Sequence, residues 1–389
     1  MFNKKIFSKI TYLLLSFYTL GFSQNQFDVG AEQINKYFSI IKDKNVGIVA
    51  NQSSIMFNKG KQVHIVDTLI SIGVNVTKVF APEHGFRGNK DNGELVKDEI
   101  DSKTNLKIIS LHGENRKPTK IDLEKIDFIL FDIQDVGVRF YTYLSTLHYI
   151  MEACAENGIK LIVLDRPNPN IYYIDGPVME DENKSFLGMH PVPIVYGMTI
   201  GEYALMINGE KWLKNEIKTD LLIIPISNYN HSSRYNLPIR PSPNLPNSKS
   251  INLYPSLCLL EQTPISIGRG TEMQFQIYGH PKFSETKFRF TPKPNFGSKN
   301  PKLKNRICNG YDLRQNKELS KIELKWLIKS YRNFPFKEEF FNSNFAKISG
   351  TKTLEHQIKK GFSITEIRKS WSKKIENFKL VRQKYLIYK

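Results

Sequence analysis

Six short apolar runs, Val46–Ala50, Val76–Ala81, Lys107–Leu111, Phe128–Ile133, Lys160–Leu164 and Leu221–Ile226, recur along the chain with helix-periodic segments between several of them. The runs lack the polar alternation of a half-solvated strand, so both of their faces must be covered. The intervening patterns supply the cover. Ile65–Ile72 ends at Gly73, and Tyr141–Asn157 sets Leu144, Leu147, Met151, Cys154 and Ala155 on one face before Gly158. Thr199 with Glu202 reads as a capping box that opens a helix running to about Leu213. Strands apolar on both faces, alternating with amphipathic helices, predict an α/β fold: a Rossmann-like, mostly parallel sheet flanked by helices over residues 24–245.

The proline-rich stretch LPIRPSPNLPN, Leu237–Asn247, restricts the backbone without building a helix or a central strand, so it marks a boundary or a rigid lining. Beyond it the pattern changes to short strands (Met273–Ile277, Lys287–Thr291) and helices near Ile322–Tyr331 and Ser363–Tyr385. Residues 246–389 are therefore expected to form a smaller α+β C-terminal domain that completes a cleft.

Residues 1–23 carry Lys4, Lys5 and Lys9 without an acid, then the apolar stretch Tyr12–Phe22, then Ser23. That is the layout of a signal peptide, and the apolar stretch is too short to span a bilayer. The expectation is an exported protein, periplasmic or secreted, with no stable membrane insertion after cleavage. Cys154, Cys258 and Cys308 are too few for a disulfide framework and read as core residues, with a single disulfide possible. The formal charge of +18 favours anionic partners. The basic residues are dispersed and lack an aromatic-interleaved motif, so no nucleic acid is expected; an anionic cell-wall polymer or membrane face fits export better, and a merely solvated basic surface accounts for the charge with no partner at all.

In parallel α/β sheets ligands bind beyond the carboxyl ends of the strands. Here those ends carry Asn51, then Glu83, His84 and Arg87 in VFAPEHGFRG, then Asp132, Gln134, Asp135, Arg139 and Tyr141 in FDIQDVGVRFYTY, then Asp165, Arg166 and Asn168 in LDRPNPN. Four converging polar ends predict a pocket. No strand is followed by G-x-G-x-x-G, and GRGTEM lacks the third glycine. The phosphate-binding G-x-x-x-x-G-K-[ST], H-E-x-x-H and G-x-S-x-G are missing as well. A metal held by His84, Asp132 and Asp165 is the weaker reading, and no cofactor is expected.

Carboxylate chemistry remains. Glycosidic cleavage takes a carboxylic acid for the leaving oxygen and a second group for water, covalent attack or charge stabilisation. Glu83 is the first choice for the acid, because partial burial at a strand end raises a carboxyl pKa. Asp132 and Asp135 stand where substrate hydroxyls would be oriented, although Asp135 also suits a turn or a pair with Arg139. Asp165, Arg166 and Asn168 stand where a sugar would be gripped, or Asp165 with Arg166 fixes the loop. Glu272, in IGRGTE, would complete the cleft from the other domain or pair with Arg269. His148 reads as a core histidine, and Glu202 is explained by capping.

APEHGFRG, FDIQDVGVRFYTY, LDRPNPN with DGPV, PSPNLPN and IGRGTE, in this order, resemble the bacterial exo-β-N-acetylmuramidases of glycoside hydrolase family 171, formerly a domain of unknown function. The resemblance covers nearly all of the chain after residue 23. It implies release of N-acetylmuramic acid from the non-reducing ends of peptidoglycan fragments, at a cleft between a Rossmann-like domain and a smaller C-terminal one. The catalytic glutamate of the EHG motif falls on Glu83. The partner group stays open, with Asp132 and Glu272 as candidates. The lactyl carboxylate that distinguishes muramic acid would suit an arginine, with Arg139 and Arg269 ahead of Arg87 and Arg166. A silent glycan-binding protein, or a hydrolase for another amino sugar, would use the same polar rim.

Overall fold

The computed structural model describes residues 27–58, 60–87, 98–113 and 115–388. The segment read as a signal peptide, and Gly88 of the EHG loop, lie outside them. All six apolar runs form strands: β1 (Asn45–Ala50), β4 (Asn75–Ala81), β6 (Lys107–Ser110), β7 (Phe128–Asp132), β8 (Lys160–Leu164) and β9 (Leu221–Ile224). A short hairpin, β2 (Ile55–Asn58) and β3 (Lys61–His64), stands apart, and β5 (Glu99–Ile100) adds an antiparallel edge. The main sheet has seven strands in the order β5-β6-β4-β1-β7-β8-β9, parallel except for β5.

Burial on both faces explains the continuous apolar runs. Val49, Ile129, Phe131, Leu161 and Val163 enter one core cluster, while their alternates Ile48, Ala50, Leu130, Ile162 and Leu164 enter a second one across the sheet. Helices α1 (Phe38–Ile41) and α2 (Ile65–Ser71) cover the second face. Helices α3 (Tyr143–Asn157) and α4 (Ile200–Gly209) cover the first. Gly158, at φ 64°, closes α3, and the Thr199–Glu202 capping box opens α4. Helix α4 stops short of Leu213 because Lys211 turns left-handed at φ 57°.

Helix α5 (Ser248–Leu257), capped by Asn247, begins the second part of the chain. There β10 (Ile277–His280), β11 (Phe288–Phe290) and β12 (Cys308–Asp312) form an antiparallel sheet in the order β10-β12-β11. It is accompanied by α6 (Lys325–Asn333), α7 (Phe345–Ser349), α8 (Thr353–Lys359) and α9 (Ile364–Gln383). The strand expected at Met273–Ile277 begins only at Ile277, because a turn with Phe275 at φ 54° occupies the preceding residues. Trp326, Phe340, Trp371 and Phe378 belong to the same cluster as Val49 and Phe131, so the two parts share one core. All three cysteines are free and buried.

The chain leaves central β1 outward through β4 and β6, then returns to β7 on the other side of β1. The topological switch point, where open α/β sheets place their ligands, therefore lies between the carboxyl ends of β1 and β7, with the end of β4 next to it beyond β1.

Candidate active site

Glu83 follows β4 by two residues, across Pro82. His84 and Gly85 take positive φ (73° and 75°), and the Gly85 amide donates to Pro82 O at 3.1 Å, so the chain reverses directly after Glu83. Phe86, 1% exposed, anchors that turn edge-on against the His64 ring at 4.9 Å. Glu83 is half-buried, and the Thr142 hydroxyl donates to its Oε2 at 2.9 Å. Tyr143 lies close enough for the Glu83 charge to join burial in raising its phenol pKa. The Tyr143 hydroxyl is fixed by Asn51, whose Nδ2 donates to it at 2.8 Å.

Glu83 opens on a cavity of about 190 Å³ whose walls come mainly from three segments. Tyr141, Thr142 and Tyr143 follow β7. Ser242, Asn244 and Leu245 belong to the proline-rich bridge, which is thus a lining. Glu261, Arg269 and Phe275 come from the C-terminal part. The bridge is pinned from the sheet side, since the Tyr141 hydroxyl donates to Pro241 O at 2.7 Å and Gln52 Nε2 to the same oxygen at 3.1 Å.

Arg269 stands between Gly268 and Gly270, both at positive φ, where a Cβ would meet backbone oxygens at 2.6 Å. Its Nε donates to Glu261 Oε1 at 2.8 Å, and its guanidinium lies 5.0 Å from the Phe275 ring centre. Burial works against charge on Glu261, but Arg269 and Lys302 outweigh it and hold the carboxyl below its ordinary range. The Lys302 ammonium donates to Glu261 O at 3.0 Å and also to Thr263 O and Ile265 O, which stiffens that segment.

Most of the other candidates are placed elsewhere. Asp132 is fully buried and paired with Arg166 through Nε (2.5 Å) and Nη2 (2.8 Å), so neither lines the cavity. Glu272 is exposed and lies outside the lining; the carboxylate facing the cavity from this part of the chain is Glu261. Arg139 is 1% exposed and donates to the carbonyls of Pro177, Val192 and Ile348 at 2.7–2.9 Å; burial pushes its pKa down to about 9. Arg87 pairs with Asp101 at 2.8 Å. Gln134 and Asn168 spend their amides on the backbone oxygens of Pro167 and Met198. His84 does line the cavity. Among the described residues no group of three or more His, Cys, Asp or Glu side chains is arranged to hold a metal.

Asp135 and Asp165 are interior carboxyls. Burial pushes each up to about 6, against hydrogen bonds from Tyr196 and Gly137 to Asp135, and from Tyr388, Thr199 and Gly201 to Asp165. An unfolded aspartate titrates near 3.8, so between that value and about 6 the folded chain binds the proton more tightly. Each group thus adds stability as pH falls through this window and withdraws it as pH rises. Asp135→Asn, which mimics the neutral acid, is expected to gain Tm relative to the parent as pH rises from about 5 to about 7.5. A pH-independent difference in calorimetry would contradict the raised value.

The comparisons match this architecture. Residues 46–249 match the family described as Exo-beta-N-acetylmuramidase NamZ, N-terminal, and residues 252–388 match its C-terminal counterpart. The chain belongs to the NamZ exo-β-N-acetylmuramidase family. It is 35% identical over 373 residues to the Peptidoglycan beta-N-acetylmuramidase NamZ of Bacillus subtilis (strain 168), covering 90% of this chain and 89% of that protein. Two crystal structures of DUF1343 family proteins from Bacteroides fragilis NCTC 9343 share the fold of this NamZ relative. One is 44% identical with a TM-score of 0.86, covering 93% of this chain and 99% of that one. The other is 28% identical with a TM-score of 0.79, covering 94% and 100%.

The sequence reading missed Glu261, Thr142, Tyr254 and Phe275 as cavity residues. Glu261 closes the apolar run LCLL eight residues before Arg269, and an acid ending such a run beside the IGRGTE loop was the available signal.

Proposed function

We propose that this chain is an exo-acting glycoside hydrolase that releases N-acetylmuramic acid from the non-reducing ends of peptidoglycan fragments, in cell-wall turnover and recycling. Membership of the NamZ family supports the reaction class. The observation that carries the residue-level reading is that Glu83, from the sheet rim, and the Glu261–Arg269 pair, from the C-terminal part, face one cavity.

Glu83 is assigned the acid that protonates the leaving oxygen. Thr142 orients its carboxyl, and Tyr143 lines the cavity beside it. Glu261, kept anionic by Arg269 and Lys302, is the second carboxylate and stabilises the positive charge that develops on the sugar. The test is turnover of a chromogenic N-acetylmuramic acid glycoside by the purified protein. Binding without turnover would support a glycan-binding role, and turnover of only the N-acetylglucosaminide would point to another amino-sugar hydrolase. Export to the periplasm or beyond is part of this proposal, supported by the basic then apolar residues 1–23.

Arg269 is the reader assigned to the lactyl carboxylate. Of the four arginines considered, Arg87 and Arg166 are paired with acids outside the cavity and Arg139 with carbonyls, whereas Arg269 lines it and uses only Nε on Glu261. Arg269→Ala is expected to raise KM for the muramic substrate about tenfold or more, the scale of a lost charge-assisted bond. Methyl-esterifying the lactyl carboxylate should impair the parent far more than this variant. Equal penalties in both would remove Arg269 from that role.

A further inference from the structure

A second opening, of about 840 Å³, lies on the C-terminal part and shares no lining residue with the Glu83 cavity. Aromatic side chains line it: Tyr278 and Trp326 are themselves buried, whereas Tyr311 and Phe288 are half-buried and reach the opening. Tyr278 and Tyr311 lie 5.0 Å apart at their ring centres, inclined by 30°, and Trp326 is 6.5 Å from Tyr278. Phe362, an exposed aromatic, lines it as well.

One wall is cationic. Lys325, Lys329 and Arg332 of α6 all line the opening, and their i, i+4, i+7 spacing sets them on one helix face. Trp326, Leu327 and Ile328 of the same helix are buried. Lys287, next to β11, adds a fourth cation to the lining. The two acids there are already neutralised, Glu285 by Arg289 and Asp312 by Arg314 at 2.7 Å. Lys325 pairs with Glu323 at 3.2 Å, and the Lys329 ammonium sits 4.0 Å over the Tyr311 ring. Among the described residues, Lys287, Lys329 and Arg332 have no carboxylate partner. The opening therefore combines aromatic faces with a net positive rim.

That pairing selects a ligand class. Sugar rings present apolar C–H faces that pack on aromatic rings, while ammonium and guanidinium groups bind carboxylates. A carboxylated amino-sugar polymer offers both. Phe275 lines the Glu83 cavity and Tyr278 lines this groove. They are three positions apart in the chain, so their Cα atoms are at most roughly 11 Å apart. We infer that the groove is a second binding site for the peptidoglycan polymer, holding sugar rings against Tyr311, Phe288 and Phe362 and the carboxylates of the acidic stem peptides on the α6 cations, beside the cavity where the terminal unit is cleaved. The inference rests on the muramidase reading for its ligand.

The test compares the whole protein with Lys329→Glu/Arg332→Glu and with a control, Lys42→Glu/Lys44→Glu, which makes the same charge change at exposed positions near α1. Each is assayed on a soluble chromogenic muramic acid glycoside and by co-sedimentation with purified insoluble peptidoglycan stripped of secondary polymers. The groove pair is expected to keep kcat and KM on the small glycoside and to lose about tenfold in polymer affinity, as opposed charges replace two attractive ones. The conservative Lys329→Arg/Arg332→Lys variant should restore it, and the control should change less than about twofold. Parental sedimentation by the groove pair, or an equal loss in the control, overturns the inference. A parent that fails to turn over the glycoside, yet sediments in a groove-dependent way, sinks the muramidase reading and leaves the groove as a polymer site.

Discussion

Glu83→Gln is expected to fold as the parent does and to lose about 10²–10⁴ in kcat, the usual contribution of a positioned acid or base. The amide is nearly isosteric and still accepts the Thr142 hydroxyl bond seen at 2.9 Å, so the loss would come from the missing proton. The dependence on leaving group sharpens this. A glycoside whose leaving group departs as a stable anion needs no protonation and should lose much less rate than a sugar leaving group. A folded Glu83→Gln enzyme with parental kcat on the poor leaving group would remove Glu83 from the acid role. Equal losses on both glycosides would make it a binding group instead.

Legibility in the sequence followed the kind of force that forms each element. The six parallel strands were readable because each is an unbroken apolar run, the pattern that burial on both faces imposes on β1, β7 and β8 and that the half-buried edge strand β9 shares. β12 was not readable: its residues, CNGYD, have no strand signature, and Gly310 is needed where a Cβ would meet Tyr278 O at 2.4 Å. Its strand character comes from pairing with β10 on one side and β11 on the other, which is tertiary information. Helix α5 was hidden by Pro255 inside it. A proline there removes the donor for the carbonyl four residues earlier, and that carbonyl, Ile251 O, is instead met by Asn170 Nδ2 at 3.2 Å. One asparagine of the LDRPNPN motif thus compensates a helix more than eighty positions away, and no local pattern could announce it.

The candidate site divides in the same way. Polar residues at strand ends were visible, but which of them face the cavity depends on what each finds to bind. Asp132 and Arg166 satisfy one another, and Arg139 is consumed by backbone carbonyls. Glu83 and Arg269 both line the shared cavity. Sequence shows the donors and acceptors, whereas only the fold shows how they are matched.

The Asp132–Arg166 pair should therefore behave as architecture, and its disruption is expected to have the largest effect on stability. Asp132 is 0% exposed, Arg166 has 5% of its side chain exposed, and a further Arg166 bond reaches Ile55 O at 3.0 Å, tying β7, the loop after β8 and the β2 hairpin together. Arg166→Leu would strand a carboxylate in the interior, a change that typically costs about 3–5 kcal/mol, a large share of the roughly 5–15 kcal/mol that holds a domain folded. Urea unfolding should show this as a fall in midpoint with little change in slope. The double variant Arg166→Leu/Asp132→Leu should recover part of the loss, because it removes the uncompensated charge along with its partner. Asp132→Asn separates architecture from catalysis: fractions that remain folded should keep most of the turnover, in contrast to Glu83→Gln. If Asp132→Asn instead unfolds at the parental urea midpoint and loses turnover as steeply as Glu83→Gln, Asp132 takes part in the reaction and the cavity between Glu83 and Glu261 is not the whole catalytic centre.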